Sequence, residues 1–223
     1  DLRYLKDTYQ IDAVHFFDNN LFTDKKRILE FANLALKEKL QIRWDGTVAL
    51  QHFSNFSPNE IEFLKKSGFY RIIVGVESGD EQVLRKLNKE HKNEQVLKLI
   101  AKCKEHNILP SLSFMVGFPW NPARDTLHTI ELIEQIKDRL PETEILLFLF
   151  SPYVGTPVYR DAIRYGMRFP SSLEGWANFT YDRANTPWVS ASLRHKIDRY
   201  LKFFGTKELL EENRGFYQGF ELK

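Results

Sequence analysis

The sequence contains very little sulfur, with a single cysteine, Cys103, among its 223 residues. One thiol excludes an internal disulfide framework and suits a reducing compartment such as the cytoplasm. Lys and Arg total 32 against 30 for Asp and Glu, so no charge excess favours nucleic acid or an anionic membrane as a partner. No apolar run approaches the roughly 20 residues of a membrane-spanning helix. These absences indicate a soluble, cytoplasmic α/β domain.

Motifs of several enzyme classes are also missing. No Gly-x-Gly-x-x-Gly lies between a strand and a helix, which weighs against dinucleotide binding, and no Gly-x-Ser-x-Gly elbow supports a hydrolase. The histidines, among them His15, His52 and His91, lack the paired spacing of metal ligands. We therefore predict no metal site within these residues.

Short apolar runs alternate with amphipathic stretches, as in a chain of βαβ units with a buried parallel sheet. The predicted strands are 11–17, 41–44, 71–76, 111–116 and 145–150. Five strands are too few for an eight-stranded barrel. The pattern alone leaves two topologies open, an open doubly wound sheet and part of a barrel.

Local signals indicate where several helices begin and end. Thr23 can cap a helix that starts at residue 24, and Ser57-Pro58-Asn59-Glu60 combines a Ser cap, a proline and a capping-box Glu. Gly68 is well placed to end that second helix. From residue 167 the chain becomes rich in aromatic residues, including Trp176 and Tyr181, before a helical segment that is expected to run from Ser190 to about residue 212.

Polar or glycine-rich segments follow most of the predicted strands. They are Phe-Asp-Asn-Asn (17–20), Gly-Val-Glu-Ser-Gly (75–79), Gly-Phe-Pro (117–119) and Pro-Tyr-Val-Gly-Thr-Pro (152–157). Each alone is compatible with a turn, a helix start or a strand terminator. Because ligands bind parallel α/β folds at the carboxyl ends of strands, the ordered set favours a binding site there.

These motifs, together with Val-Leu-Arg-Lys-Leu-Asn-Lys (83–89), resemble those of the radical S-adenosylmethionine (SAM) superfamily. The similarity runs from about residue 4 to 166 and is greatest to the subgroup that often carries an amino-terminal cobalamin-binding domain. It implies a partial (β/α)6 TIM-like barrel of parallel strands, with the first strand missing, over residues 1–166. Residues 167–223 would form a mostly helical, aromatic-rich extension.

In this superfamily a [4Fe–4S] cluster held by three cysteines cleaves SAM to a 5′-deoxyadenosyl radical. The resemblance places seven residues around SAM: Asp18, Asn19, Glu77, Ser78, Gly117, Pro119 and Pro152. The two that follow the first strand would lie near the amino acid end, where an acceptor can bind the ammonium. Glu77 would face the ribose hydroxyls with Ser78 beside it, and Gly117 and Pro119 would let the backbone approach the adenine. Pro152 would shape the same pocket or the substrate side, and no catalytic residue is assigned.

The superfamily's Cys-x-x-x-Cys-x-x-Cys motif is absent, and Cys103 lies on the apolar face of a predicted helix. Residues 1–10 resemble the end of the helix that follows that motif. We therefore expect an upstream part of the same polypeptide to supply the cluster and any cobalamin-binding domain, so that the isolated chain is inactive. The alternative is a cluster-free barrel that binds a ligand or a partner protein. Trp120-Asn121-Pro122, Val154 and Val48 depart from the common pattern and leave the substrate open.

Overall fold

The computed structural model describes residues 1–177, 179 and 186–204. Its strands are β1 Ala13–Phe16, β2 Arg43–Thr47, β3 Phe69–Glu77, β4 Leu109–Val116 and β5 Glu144–Leu149. Its helices are α1 Leu2–Tyr9, α2 Lys25–Lys37, α3 Leu50–Ser54, α4 Pro58–Lys66, α5 Glu81–Lys86, α6 Asn93–Glu105, α7 Pro122–Arg139, α8 Pro157–Arg164, α9 Leu173–Ala177 and α10 Ala191–Phe203. Among these helices, none is both long enough and apolar enough to cross a membrane. Every predicted strand is present within a few residues of its expected bounds.

The five strands form one parallel sheet in the order β1-β2-β3-β4-β5. Ala13 of β1 lies opposite Arg43 of β2, and the register between β2 and β3 shifts at Trp44 and Asp45. A doubly wound sheet reverses its strand order at a switch point, whereas this order follows the sequence throughout. The structure therefore decides between the two topologies in favour of barrel-type winding.

The chain divides into two compact units, which are described separately below. Unit 1 comprises Asp1–Val76, His91–Leu112 and Glu134–Glu144. Unit 2 comprises Glu77–Glu90, Ser113–Ile133 and the residues from Ile145 onward.

Trp44 is the centre of an aromatic core in unit 1, with 1% of its surface exposed. Its ring packs against Phe69 at a centroid distance of 4.7 Å and against Phe31 at 5.2 Å. The indole N–H donates to the Ser67 carbonyl at 3.2 Å, so the polar edge of the ring is satisfied within the core. This anchoring joins β2 to the turn that connects α4 with β3.

The helix termini of unit 1 largely follow the local sequence signals. Ser57 and Glu60 form the predicted capping box at the start of α4. Gly68 follows its end with φ 107°, as predicted. The predicted cap of α2 was wrong: Thr23 donates its hydroxyl to the Asn20 carbonyl, and the Asp24 side chain caps the helix by accepting from Arg27 N at 3.1 Å. A carboxylate one residue nearer to the helix is the better acceptor for a charge-assisted cap.

A layer of charged side chains also lies in unit 1. Asp45 is 1% exposed and accepts from His15 Nδ1 and from Arg71, whose Nε lies 2.7 Å from Asp45 Oδ2. Arg71 also reaches Glu144 at 3.3 Å. Since a buried carboxylate is costly without partners, this network satisfies Asp45 through residues of β1 and β3.

In unit 2, a buried apolar cluster is formed by Val83, Phe118, Phe150 and Val158. Phe118 and Phe150 stack with their ring centroids 4.3 Å apart. Trp176, in α9, stacks on Phe169 at 5.8 Å, which agrees with a packing role for that aromatic residue. Ser190 is the N-cap of helix α10, in agreement with the predicted start of this segment. Tyr181 and the expected continuation of this helix beyond Phe204 lie outside the described residues.

Candidate functional site

The residues predicted to bind SAM all follow the carboxyl ends of strands. Glu77 is the last residue of β3 and Ser78 follows it, Gly117 and Pro119 come after β4, and Pro152 comes after β5. Asp18 and Asn19 follow β1. Asp18 and Asn19 belong to unit 1 and the other five to unit 2. The predicted placement at strand ends is therefore observed, and the roles of the individual residues remain predictions.

Glu77 has an unusual backbone conformation for its residue type. Its φ is 72°, in the left-handed region that disfavours side chains with a Cβ. Its side chain is 19% exposed, and the carboxylate accepts from Lys89 Nζ at 2.8 Å. Such strain persists only where the surrounding structure enforces it, and it is concentrated at functional sites.

Ser78 is fully buried and fixes the segment that follows Glu77. Its hydroxyl donates to Asp125 Oδ1 at 2.6 Å and accepts from Asp80 N at 2.9 Å. Asp80 in turn caps α5 and pairs with Arg124 at 2.6 Å. The side chain of Ser78 is thus occupied by protein contacts that fix the loop between β3 and α5.

Asp125, in the first turn of α7, was not predicted from the sequence. Its other oxygen, Oδ2, accepts from Gly117 N at 2.8 Å and from Phe118 N at 3.3 Å. Burial raises the pKa of this carboxyl to about 7. The only sequence signal is an acid shortly after Gly-Phe-Pro, at the start of a helix. Such an acid is explained equally well by its favourable interaction with the helix dipole.

Gly79 lets the 77–80 loop pack directly on the backbone of α7. A Cβ at this position would lie 2.3 Å from the His128 carbonyl oxygen and 2.6 Å from Thr129 Cα. The Gly79 amide also donates to Thr129 Oγ1 at 2.8 Å. The loop therefore depends on a residue without a side chain.

The amide of Gly117 is bound by Asp125, and its carbonyl is bound by the segment before α10. Its φ is 83°, and its carbonyl accepts from the indole N–H of Trp188 at 2.8 Å. Gly117, Pro119 and Pro152 are buried by protein atoms. Of the five predicted residues in unit 2, Glu77 offers the polar side chain that retains access to solvent.

In unit 1, Asp18 keeps an exposed carboxylate, and Arg27 approaches it at 3.6 Å. Asn19 is exposed. The next residue, Asn20, has the structural role in this loop: its Oδ1 accepts from Ala49 N at 3.1 Å and its amide lies 2.7 Å from His52 Nδ1. Asp18 and Asn19 are thus both exposed, and their part in binding the ammonium stays a prediction.

Cys103 does not suit an iron–sulfur cluster. It is fully buried in α6, and burial raises the pKa of its thiol to about 12, whereas cluster ligands are thiolates. The described part of the chain holds no group of three or more His, Cys, Asp or Glu residues that could bind a metal ion. The single cysteine and the described residues therefore do not fit a [4Fe–4S] cluster.

Known proteins resemble this chain in sequence over part of their length. The tRNA-2-methylthio-N(6)-dimethylallyladenosine synthase of Ehrlichia ruminantium is 37% identical over 88 residues, which are 39% of this chain and 19% of that protein. The bacteriochlorophyllide d C-8(2)-methyltransferase of Chlorobaculum tepidum is 27% identical over 168 residues, 73% of this chain and 34% of that protein. The chain thus spans a fifth to a third of these curated relatives.

Solved structures share the fold. Coproporphyrinogen III oxidase from Escherichia coli superimposes with a TM-score of 0.58 and 15% identity, covering 87% of this chain and 41% of that one. The methyltransferase TsrM from Kitasatospora setae, with cobalamin and a [4Fe-4S] cluster bound, gives 0.58 and 14%, covering 74% and 34%. The profile of the radical SAM superfamily matches residues 1–133, more than half of the sequence. Together with the sequential parallel sheet, this match shows that the chain belongs to the radical SAM superfamily.

Proposed function

We propose that this chain supplies the nucleoside-binding part of the SAM site of a radical SAM enzyme that acts on an unidentified substrate. The observation that carries the proposal is Glu77 at the carboxyl end of β3, with a left-handed backbone and a partly exposed acidic side chain. The supporting observation is the hydrogen-bonded network behind it, which fixes the Ser78 and Gly117 loops through one buried acid.

Glu77 suits the ribose of SAM for a chemical reason. An ionised carboxylate is an acceptor with two oxygens, and vicinal hydroxyls are two neighbouring donors. Hydrogen bonds to a charged group contribute about 1.5–3 kcal/mol, more than neutral ones. Lys89 pairs with Oε1 of Glu77, which holds the carboxylate in place in the protein.

The cluster is assigned to residues outside this sequence, because the only thiol of the chain is buried in α6. Any cobalamin, which TsrM contains, would likewise be bound by another segment. The isolated chain should accordingly hold SAM without cleaving it. A single reduced thiol also agrees with a cytoplasmic location.

Calorimetric titration with S-adenosylhomocysteine, which shares the nucleoside, tests the proposal. We expect the 223-residue chain to bind it and Glu77→Gln to weaken binding about tenfold, as expected for the loss of a charge-assisted hydrogen bond. Glu81→Gln is the matched control, because it removes one carboxylate from an exposed position of the same region. Absence of binding by the unaltered chain at millimolar ligand, or equal weakening in both variants, contradicts the proposal.

A second candidate is a cluster-free barrel that binds a ligand or a partner protein. The burial of Cys103 is equally compatible with this candidate, because the only thiol of the sequence is not available to a cluster. The reading frame upstream of the Asp1 codon distinguishes the two candidates. A Cys-x-x-x-Cys-x-x-Cys motif there, with iron bound by the longer protein after anaerobic reconstitution, supports the enzyme, whereas a nearby start codon without cysteines supports the binding module.

A further inference from the structure

Asp125 is a fully buried acid that bonds to two loops at the ends of neighbouring strands. Oδ1 receives the Ser78 hydroxyl, and Oδ2 receives the amides of Gly117 and Phe118. All of these groups belong to unit 2. One carboxylate thus accepts three hydrogen bonds from two loops that are distant in sequence.

Burying a carboxylate costs more free energy than burying an apolar side chain. Burying an ionisable group disfavours its charged form, and an apolar side chain of similar size would avoid that cost. The three donors offset part of the cost, because hydrogen bonds to a carboxylate are stronger than those to neutral acceptors. The arrangement is therefore suited to fixing geometry more than to adding stability.

The charges around Asp125 come from its own helix and from the 77–80 loop. The carboxylate of Asp80 disfavours a second negative charge at Asp125. Arg124 neutralises Asp80 at 2.6 Å, and His128 Nδ1 lies 3.8 Å from the same carboxylate. The position of Asp125 in the first turn of α7 also favours a negative charge.

We propose that Asp125 is a positioning residue for the nucleoside site: it sets the distance between the Glu77-Ser78 segment and the Gly117-Phe118 segment, and so aims the Glu77 carboxylate. This inference rests on the proposed function. Asp125 acts through Ser78 and the two amides, and it touches no ligand itself.

The test combines ligand affinity with amide hydrogen exchange in three variants of the 223-residue chain. Asp125→Ala removes all three acceptor contacts, and Asp125→Asn keeps one carbonyl oxygen to accept and can donate its amide to Ser78. Thr126→Val is the matched control, because this neighbouring buried residue bonds within α7, to the Pro122 carbonyl at 2.7 Å.

We expect Asp125→Ala to weaken S-adenosylhomocysteine binding about tenfold or more, Asp125→Asn to recover part of that loss, and Thr126→Val to change it less than about twofold. Without ligand, the Gly117 and Phe118 amides should exchange about tenfold faster in Asp125→Ala than in Thr126→Val. Combining Ser78→Ala with Asp125→Asn should be less than additive, because both act through one contact.

Each other result has a distinct meaning. Asp125→Asn is the variant to use if Asp125→Ala does not fold. If the unaltered chain binds S-adenosylhomocysteine, and Asp125→Asn has the same affinity and the same amide exchange, the positioning role is overturned while the proposed function stands. If affinity falls equally in Thr126→Val, Asp125 is merely structural and the inference is again overturned. If the unaltered chain does not bind, the proposed function fails, and the inference fails with it.

Discussion

At the scale of single residues, the backbone strain at Glu77 can be separated from its carboxylate. Glu77→Gly and Glu77→Ala both remove the ion pair with Lys89, but alanine keeps a Cβ at φ 72°. Because glycine adopts this region freely, we expect the alanine variant to be less stable by about 1 kcal/mol. Urea denaturation measures the difference. Equal stabilities would mean that the backbone relaxes and that the residue is not strained.

A second residue-scale prediction concerns the pH dependence of stability. Burial raises the pKa of Asp125 from an ordinary 3.8 to about 7. Between these values the folded chain binds a proton that the unfolded chain lacks, so this group lowers the free energy of unfolding as pH rises from about 4 to about 7. Asp125→Asn should lose this contribution, so its stability relative to the unaltered chain should increase over that range.

Denaturation at several pH values between 5 and 8 checks this expectation, with Thr126→Val as the control. The control should follow the pH dependence of the unaltered chain, because its hydroxyl does not titrate. A constant difference between Asp125→Asn and the unaltered chain would contradict a raised pKa.

The sequence could place Glu77 at a strand end, but it could not reveal the contacts of Asp125, for a physical reason. Glu77 lies within a contiguous motif at the end of a β-branched strand, so local reading places it at a strand end. Asp125 gains its role through a contact with Ser78, 47 positions away. Its local context, an acid in the first turn of a helix, has an ordinary explanation that needs no tertiary contact.

At the scale of elements, two glycines allow the conformational cost of a Gly→Ala substitution to be distinguished from the cost of a steric clash. Gly68 and Gly155 both have a left-handed φ, 107° and 85°. A Cβ on Gly68 would lie 2.1 Å from the Ile42 carbonyl oxygen, whereas one on Gly155 meets nothing within 4 Å.

Gly155→Ala should therefore cost only the conformational strain, about 1 kcal/mol, and Gly68→Ala should cost clearly more because α4 must move away from the start of β2. The midpoint of denaturation compares the two variants. A similar loss in both would mean that the turn after α4 is readily displaced.

Helix starts and strands that depend on residues close in sequence were predicted well. The capping box of α4 and the five strands follow from short patterns. The short helices α3, α5 and α8 were not predicted, because five to eight residues carry too few turns for a clear amphipathic period. Their positions are set by packing against the rest of each unit.

At the scale of the whole molecule, the order of strands could not be read from the sequence. Alternating strands and helices fit both a doubly wound sheet and a barrel, since the two differ only in which strands become neighbours. That choice depends on which strands pair after the chain returns to the sheet, and here β4 lies beside β3. The family resemblance supplied the answer that periodicity could not, and the boundary proposed at residue 166 stays a prediction.

The charged layer of unit 1 allows a comparison of two Asp–Arg pairs. Asp45 pairs with Arg71 in the interior, whereas Asp12 pairs with Arg43 at 3.4 Å on the surface, where the two side chains are 85% and 61% exposed. Asp45→Asn should lower the free energy of unfolding by about 3 kcal/mol because Arg71 and His15 lose their buried partner, and Asp12→Asn by less than about 0.5 kcal/mol.

Thermal and urea denaturation of the two variants measure this contrast. Comparable small losses would show that water reaches the Asp45 network and screens it. A large loss confined to Asp45→Asn would identify the layer as a long-range tie between β1, β2 and β3.

The close contact of Gly79 with α7 limits how this chain can diverge during evolution. The atoms that a Cβ would meet belong to the backbone of His128 and Thr129, so no change of rotamer makes room for a substitution. A saturation library at position 79 should return the parental residue alone among folded clones. Divergence of this loop must then leave position 79 unchanged, whereas exposed positions of unit 2 such as Tyr153 and Val154, 50% and 60% exposed, are free to vary.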